Sequence, residues 1–302
     1  MESTRMEKEY ICPILTILKD ENTVDFEAMH KLYDRLISDG ISAIALLGSC
    51  GEFYAQTLDV CNQLVEDGIK YINHRTKVYV GANRMDDQLS IDFANKAIEL
   101  GADGILLVGP YYMSATNDGL FIFFNKMAKS INGDIIIYNY PERTGYDINN
   151  DLLISLLKEN NNIVGIKDTI GDVKHTISII KNVNSKFPNF KVYTGFDGNC
   201  LEVIKSGGQG VVGGLSNIIS DVCVDLIKSY ENDDEDRVSK NQNIIEHASD
   251  LLNISTPFMS TFKYIVNLQG ITNNGFCLTP AAPLTNEQKN KASKMYKEVR
   301  SL

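Results

Sequence analysis

The first candidate for chemistry is a lysine that ends an apolar segment. Residues 163–166 read Ile-Val-Gly-Ile, which is typical of a buried strand, and Lys167 follows directly. Apolar surroundings favour the neutral amine of a lysine, and a neutral amine attacks carbonyl carbons. Lys167 is therefore a candidate for forming an imine with a carbonyl compound. The alternative is that its ammonium group reaches out of the strand end and pairs with Asp168, and spacing alone leaves both interpretations open.

Three hydroxyl-bearing residues are candidates for moving protons. Tyr138 ends a second apolar run, residues 135–137, and a phenol there relays protons at an imine carbon if another hydroxyl shares its hydrogen bond. Ser49 and Tyr112 are candidates for that second hydroxyl. Taken singly, each of the three is also explained as an aromatic residue at a rim or a serine in a turn.

A glycine-flanked turn contains a candidate anion site. Residues 48–51 read Gly-Ser-Cys-Gly, and the free N–H groups of such a turn can bind a carboxylate, although a two-glycine turn is more often just a tight strand–helix connection. Cys50 has no histidine near it in sequence to activate a thiol nucleophile. We interpret Cys50 as a small neutral side chain with a useful backbone N–H.

Alternating strands and helices position these residues. About eight strand–helix units recur every 25–35 residues, the rhythm of a parallel sheet, and many strands are continuous Val/Ile/Leu runs. Eight units in one domain favour an α/β fold of the (β/α)8 TIM-barrel type, in which catalytic groups lie at the carboxyl ends of the strands. The candidates above follow predicted strand ends. The predicted strands cover residues 10–16, 41–47, 77–81, 104–108, 135–138, 163–167, 191–194 and 211–213.

The last part of the chain reads as helical, with segments at residues 222–230, 237–252, 258–268 and 287–299. These are too many helices for a barrel alone. We predict a barrel over residues 1–217 and a C-terminal helical extension over residues 218–302 that packs on it as part of a single structural unit.

The composition argues against several classes of protein. The chain has 302 residues and a net charge of -10, with no basic stripe for nucleic acid, and its acidity disfavours anionic membranes. No apolar run is long enough to span a membrane, and the polar N-terminus predicts no signal peptide. The six cysteines are scattered and the four histidines lack metal-ligand spacing, so we expect no disulfide framework, no metal and a cytoplasmic location.

Four motifs together resemble the dihydrodipicolinate synthase / N-acetylneuraminate lyase family. They are G-x-x-G-E at 48–52, P-Y-Y at 110–112, Y-N-x-P-x-R-T-G at 138–145 and G-I-K-D-T at 165–169. The resemblance covers nearly the whole chain and favours the imine interpretation of Lys167. It implies a class I, pyruvate-dependent lyase without a cofactor, assembled as a homotetramer that is a dimer of dimers.

The resemblance also implies a role for each candidate. Lys167 would form the imine with pyruvate or with the 2-keto group of the substrate, and Tyr138 would transfer protons. Ser49 would pass protons onward, while its backbone and that of Cys50 bind the keto-acid carboxylate. Tyr112 matches the relay tyrosine that a neighbouring subunit positions in family tetramers. Cys50 departs from the usual threonine, which removes a hydroxyl and keeps the amide.

The aldehyde end of the substrate is less clearly indicated. The segments around residues 13–16, 165–170 and 279–284 look most like the 2-keto-3-deoxy sugar-acid aldolases. Gly195 and Asp197 resemble the loop that holds sugar hydroxyls in the sialic acid lyases, but Gly198 replaces an acidic residue there. Val212, on the last predicted strand, is a further substrate-binding candidate.

Arg143 favours a synthase instead, because the synthases use that position to bind a carboxylate. Three interpretations follow: an aldolase of a 2-keto-3-deoxy sugar acid, a synthase that condenses pyruvate with aspartate semialdehyde, and a non-catalytic keto-acid-binding barrel. Retention of Lys167, Tyr138 and Ser49 together argues against the third. N-acetylneuraminate lyase activity is disfavoured by Gly198.

Overall fold

The computed structural model describes residues 7–302, and eight parallel strands in this range form a closed barrel, which confirms the predicted fold class. In chain order the strands are β1 (Glu9–Pro13), β2 (Leu18–Asp20), β3 (Thr23–Val24), β4 (Ala43–Leu46), β5 (Lys77–Gly81), β6 (Gly104–Val108), β7 (Ile135–Asn139), β8 (Ile163–Asp168), β9 (Lys191–Thr194) and β10 (Gly210–Val212). The barrel strands pair in the order β1-β10-β9-β8-β7-β6-β5-β4, while β2 and β3 form a small antiparallel hairpin.

Helices connect the barrel strands and make up most of the chain after the last strand. None of those in residues 7–302 is long and apolar enough to cross a bilayer. They are α1 (Phe26–Asp39), α2 (Leu58–Ile72), α3 (Asp87–Glu99), α4 (Asn117–Ser130), α5 (Pro141–Thr144), α6 (Asn150–Glu159), α7 (Val173–Val183), α8 (Cys200–Lys205), α9 (Ser216–Glu231), α10 (Glu235–Ser249), α11 (Met259–Leu268) and α12 (Asn286–Val299).

Local sequence explains where many of these helices begin and end. The side chain of Asp25 accepts a hydrogen bond from the Ala28 N–H at the start of α1, and Gly40 ends this helix with a left-handed φ of 92°. Thr285 and Gln288 form a reciprocal capping box at the start of α12. These residues satisfy backbone groups that a helix end would otherwise leave unpaired.

By internal contacts the chain divides into two compact units. The first contains the described residues up to Tyr10 together with Tyr79–Gly213, and the second contains Ile11–Val78 and Gly214–Leu302. The C-terminal helices therefore group with α1, α2 and β4 in the second unit. The division into a barrel over 1–217 and a packed helical extension over 218–302 stays a prediction.

Sequence patterns missed two small elements and misjudged some ends. The predicted strand over residues 10–16 is β1, which ends at Pro13, and the helix predicted over residues 222–230 is α9, which begins at Ser216. The hairpin β2–β3 and the single-turn helix α5 were not predicted. Helix α5 has a proline at its first position and ends at Gly145 in the left-handed region, which is the usual placement of these two residues at helix ends.

Candidate active site

Lys167 and Tyr138 lie side by side inside the barrel. The register between β7 and β8 places Tyr138 opposite Lys167, and the Lys167 Nζ atom is 4.1 Å from the centroid of the Tyr138 ring. Both residues are buried, with 5% and 4% of their surfaces exposed. Within residues 7–302 no carboxylate forms an ion pair with Lys167. The structure thus brings together an amine and a phenol that sequence reasoning selected separately.

The neighbouring residues Asp168 and Asn139 point the opposite way, because side chains alternate along a strand. Asn139 Nδ2 donates to Asp168 Oδ1 at 2.9 Å, and the Thr176 hydroxyl of α7 donates to Asp168 Oδ2 at 2.7 Å. Helices surround a barrel of this type on its outside, so Asp168 faces outward and Lys167 faces inward. The alternative in which Lys167 reaches out to pair with Asp168 is not what the structure contains.

His175 of α7 connects two carboxylates behind this pair. Its Nδ1 atom lies 2.9 Å from Asp168 Oδ2, and its Nε2 atom lies 3.1 Å from Asp147 Oδ2. Hydrogen bonds to Asp147 and Asp168 raise the pKa of His175 to about 10, so the ring is an imidazolium at neutral pH. Burial alone would raise the pKa of Asp147, but hydrogen bonds from His175 and Asn139 lower it. Sequence reasoning missed His175, which carries no motif of its own.

Thr169 presents a buried hydroxyl beside this site. It lies two residues after Lys167, its backbone N–H donates to the Asn139 carbonyl at 2.8 Å, and its Oγ1 atom has no hydrogen-bond partner among residues 7–302. A Cβ atom on Gly195 would lie 2.0 Å from that oxygen, so only glycine fits there. A buried hydroxyl is ordinarily paired, which makes Thr169 Oγ1 a candidate contact for a substrate hydroxyl. Its position in the G-I-K-D-T motif was the available signal.

Asp197 lies in a turn of 3-10 helix, Asp197–Asn199, that follows β9. Its Oδ1 atom accepts a hydrogen bond of 2.6 Å from the Tyr10 hydroxyl, and a Cβ atom on Gly213 would lie 2.2 Å from the same oxygen. Burial of Cys200, followed by the nearby Asp197 charge, raises the pKa of the Cys200 thiol. Asp197 therefore connects β1 to the loop after β9. A contact between Asp197 and the substrate stays a prediction. A contact between the buried Val212 and the substrate stays a prediction as well.

A second aromatic ring extends the site from Tyr138 toward solvent. The Tyr140 ring stacks near that of Tyr138, with centroids 5.9 Å apart and an angle of 22°, and the Arg143 guanidinium lies 5.4 Å from the Tyr140 ring. Burial raises the pKa of Tyr140, and the Arg143 charge opposes the rise. Arg143 is exposed on α5. Tyr140 was not selected from the sequence, although it occupies a variable position of the Y-N-x-P-x-R-T-G motif.

Tyr112 lies in the loop between β6 and α4. It is 90% exposed, and its backbone has a left-handed φ of 80°, which is uncommon for a residue with a large side chain. The next residue, Met113, is also exposed. A proton-relay role for Tyr112 stays a prediction.

Ser49 and Cys50 occupy the turn after β4 in the second unit. The Gly51 N–H donates to the Gly48 carbonyl at 3.0 Å, and the Glu52 N–H donates to the Ser49 carbonyl at 3.1 Å. Ser49 is half-buried and Cys50 is buried. The turn therefore has a defined backbone conformation, and its proposed role in carboxylate binding stays a prediction.

A buried ion pair lies at the end of this turn and stabilises it. Glu52, with a left-handed φ of 56°, pairs with Lys263 of α11, and both side chains are fully buried. The Leu278 N–H donates to Glu52 Oε1 at 2.8 Å, and Lys263 donates to the Phe276 carbonyl at 2.8 Å. These bonds satisfy charges that would otherwise be costly to bury. Among residues 7–302, no group of three or more His, Cys, Asp or Glu is arranged to hold a metal ion.

Comparison with known proteins identifies the family. The sequence pattern of the Dihydrodipicolinate synthetase family matches residues 6–299. Over 93% of each chain, the protein is 29% identical to the probable 2-dehydro-3-deoxy-D-pentonate aldolase YjhH of Escherichia coli K12. It is 32% identical to the 4-hydroxy-tetrahydrodipicolinate synthase of Ligilactobacillus salivarius, with 95% of this chain and 96% of that protein covered.

Solved structures give the same assignment. The crystal structure of YagE from E. coli K12, a protein of the dihydrodipicolinic acid synthase family in complex with pyruvate, has a TM-score of 0.94 at 27% identity and covers 98% of this chain and 99% of its own. The dihydrodipicolinate synthase of Aquifex aeolicus has a TM-score of 0.90 at 27% identity, with 97% and 98% covered. The chain thus belongs to the dihydrodipicolinate synthetase family and is an enzyme of its pyruvate-dependent lyase class.

Proposed function

We propose that this enzyme reversibly cleaves a 2-keto-3-deoxy sugar acid to pyruvate and an aldehyde through an imine on Lys167. The observation that carries the proposal is the buried Lys167 amine beside the Tyr138 ring, with no carboxylate paired to it in the described part of the chain. The relatives YjhH and YagE, whose names specify aldolases of such sugar acids, support the same substrate class.

The proposed reaction begins with addition of the Lys167 amine to the C2 carbonyl of the substrate. Loss of water gives a protonated imine, which accepts the electron pair of the C3–C4 bond when the C4 hydroxyl loses its proton. The aldehyde leaves, and the resulting enamine takes a proton at C3. Hydrolysis of the imine then releases pyruvate and restores Lys167. Tyr138 is the proposed carrier of these protons, and the 4.1 Å between its ring centroid and the Lys167 Nζ atom supports this role.

Other residues have proposed roles in this reaction. The backbone N–H groups of Ser49 and Cys50 bind the keto-acid carboxylate, and the Ser49 hydroxyl passes protons to and from Tyr138.

Thr169, Gly195 and Asp197 contact the hydroxyl-bearing end of the sugar acid, with Val212 lining the substrate site. The unpaired Thr169 hydroxyl supports this part of the proposal.

We also propose a homotetramer, a dimer of dimers, in which Tyr112 enters the relay of a neighbouring subunit. The exposure of Tyr112 and Met113 and the left-handed backbone of Tyr112 support it, since they leave an aromatic side chain projecting into solvent. The proposed location is the cytoplasm, in keeping with a net charge of -10 and six free cysteines. The partners are small molecules and other copies of this chain, with no cofactor, nucleic acid or membrane.

A second candidate function is condensation of pyruvate with aspartate semialdehyde. Arg143 favours it, because an arginine beside the site binds a carboxylate in bidentate fashion. The 32% identity to the L. salivarius synthase favours it as well. The sugar-acid aldolases YjhH and YagE match over 93% and 96% of the chain, and the YagE structure has a TM-score of 0.94 against 0.90 for the A. aeolicus synthase, so we give the aldolase more weight.

The two candidates are separated by kcat/KM measured for both reactions with the same preparation. We expect cleavage of a 2-keto-3-deoxy sugar acid, followed as pyruvate release, to exceed condensation with the semialdehyde. A clear preference for the semialdehyde would replace the aldolase proposal with the synthase.

A further inference from the structure

A polar network lies on the outer side of the barrel wall, behind the Lys167–Tyr138 pair. It consists of Asn139 and Asp168 from β7 and β8, Asp147 before α6, and His175 and Thr176 from α7. Asn139 Nδ2 donates to Asp147 Oδ1 at 2.8 Å and to Asp168 Oδ1 at 2.9 Å. Asn139 and Asp168 are fully buried and are the chain neighbours of Tyr138 and Lys167.

The His175 ring is the only member of this network with a positive charge. It faces the carboxylates of Asp147 and Asp168, so the network holds two negative charges and one positive charge. An imidazole donates hydrogen bonds to two carboxylates at once only when both ring nitrogens carry protons. The raised pKa of His175 keeps it in that state at neutral pH.

We propose that His175 is a positioning residue for the imine chemistry of Lys167: it bridges Asp168 of β8 and Asp147, which accepts a hydrogen bond from Asn139 of β7, and so holds the two strands at the register that pairs Lys167 with Tyr138. The inference rests on the proposed function, since it takes Lys167 as the imine-forming residue. His175 itself lies on the other side of the strands and contacts no substrate.

The alignment of β7 with β8 determines where Lys167 and Tyr138 lie relative to each other, and His175 acts on this alignment. The pairing of β7 with β8 is irregular between Ile135 and Ile136, so the amino ends of the strands do not fix the alignment at their carboxyl ends. At the carboxyl ends, Tyr138 pairs with Lys167 and Asn139 with Asp168. Hydrogen bonds of the network hold Asn139 and Asp168 together, and this holds Tyr138 opposite Lys167. A displacement of about 1 Å between reacting groups is enough to cost about 100-fold in rate.

The test is the rate at which borohydride traps the pyruvate imine, measured with saturating pyruvate by rapid quench and mass spectrometry. For His175→Gln we expect a rate constant about 10- to 100-fold lower than in the wild type, with full final labelling and a pyruvate KM changed by less than about threefold. A purely structural role would lower the melting temperature and leave the rate per folded molecule unchanged, and that result would overturn the inference.

His30→Gln is the matched control. His30 also pairs with an aspartate, its Nε2 atom lying 2.8 Å from Asp67 Oδ2, and the pair is partly exposed between α1 and α2. This variant loses a histidine–carboxylate contact of the same kind and should trap the imine at the wild-type rate. An equal loss of rate in both variants would contradict a specific role for His175.

A second variant separates charge from shape. In His175→Gln the two carboxylates face each other without a cation, and adding Asp147→Asn removes one of them. We expect the double variant to trap the imine at least about threefold faster than His175→Gln alone, because like charges no longer push Asp168 away. No recovery would contradict the inference.

If His175→Gln does not fold, Asp147→Asn alone takes its place. It keeps the contact between His175 and Asp168 and weakens the bridge, so it should slow trapping more than His30→Gln does. A trapping rate equal to that of His30→Gln would overturn the inference. Failure of the wild type to label Lys167 would instead overturn the proposed function, so the two failures are distinguishable.

Discussion

The Nζ atom of Lys167 lies 4.1 Å from the centre of the Tyr138 ring, and the two residues are direct partners across β7 and β8. Because they are neighbours in a paired register, their side chains point to the same face of the sheet. The same register puts Asp168 and Asn139 on the other face, where they bind each other and the residues of α7. One strand pairing therefore puts the Lys167 and Tyr138 side chains on one face of the sheet and the polar network on the other.

Thr169→Val tests the proposed contact with the sugar acid. We expect KM for the sugar acid to rise about 2- to 10-fold, the cost of one neutral hydrogen bond, while KM for pyruvate stays within about twofold. Stability should stay the same or increase by about 1 kcal/mol, because the native hydroxyl is buried without a partner.

Thr261→Val is the matched control for this change, since the Thr261 hydroxyl lies 2.8 Å from the Ser255 hydroxyl. It should lower the melting temperature and leave both KM values unchanged. Unchanged sugar-acid kinetics in Thr169→Val would remove Thr169 from the substrate site.

Arg143→Leu distinguishes the aldolase from the synthase. Arg143 is exposed over the Tyr140 ring, so its loss should cost less than about 1 kcal/mol of stability. For a substrate that releases a neutral aldehyde we expect kcat/KM to fall about tenfold or less. For aspartate semialdehyde, loss of a charged contact should cost roughly 30- to several-thousand-fold. A large loss with the sugar acid would mean that the aldehyde half carries a carboxylate.

His175 should make stability depend on pH in the alkaline range. Its pKa is raised in the folded state to about 10, so its contribution is complete below the unfolded pKa of about 6.5 and is lost as pH rises through about 10. Near pH 6 the free energy of unfolding of His175→Gln should be about 2–3 kcal/mol lower than that of the wild type. This value is smaller than the pKa shift alone implies, because His175 is 27% exposed and solvent weakens its ion pairs. The difference in stability between the two proteins should shrink toward pH 10. Chemical denaturation at both pH values measures it, and a constant gap would contradict the charged bridge.

Tyr112→Ala tests assembly and the shared relay together. If Tyr112 acts in the site of a neighbouring subunit, sedimentation of the wild type should give a homotetramer, and the variant should lose at least about tenfold in kcat. The protein should stay folded, because Tyr112 packs against little of its own chain. A fully active monomer would remove Tyr112 from the relay.

The barrel and the choice of Lys167 and Tyr138 as candidates were predictable because both depend on local sequence signals. Many of the barrel strands are apolar runs, and Lys167 and Tyr138 lie at the ends of two of them. The network around His175 was not predictable in this way. Its members lie on two strands, a loop and a helix, and only the register of β7 with β8 and the position of α7 bring them together.

The burial of Asp197 shows a further limit of sequence reasoning. Its motif suggests a sugar-binding loop, while its side chain accepts a hydrogen bond from Tyr10, a residue 187 positions away. Contacts between residues so far apart in the sequence follow from the closure of the barrel between β1 and β10, and no local sequence pattern encodes that closure. Tyr140 was missed for a different reason, since a tyrosine at a variable motif position carries no signal until its stacking on Tyr138 is known.

Reduction of the pyruvate imine tests the central claim most directly. The wild-type enzyme is incubated with pyruvate and borohydride, digested, and mapped by mass spectrometry. We predict a single carboxyethyl group on the Nζ atom of Lys167, and no labelling in a folded Lys167→Ala variant. The fully buried Lys263, which is paired with Glu52, should stay unlabelled in both. An adduct on another lysine, or no adduct at saturating pyruvate, would contradict the mechanism.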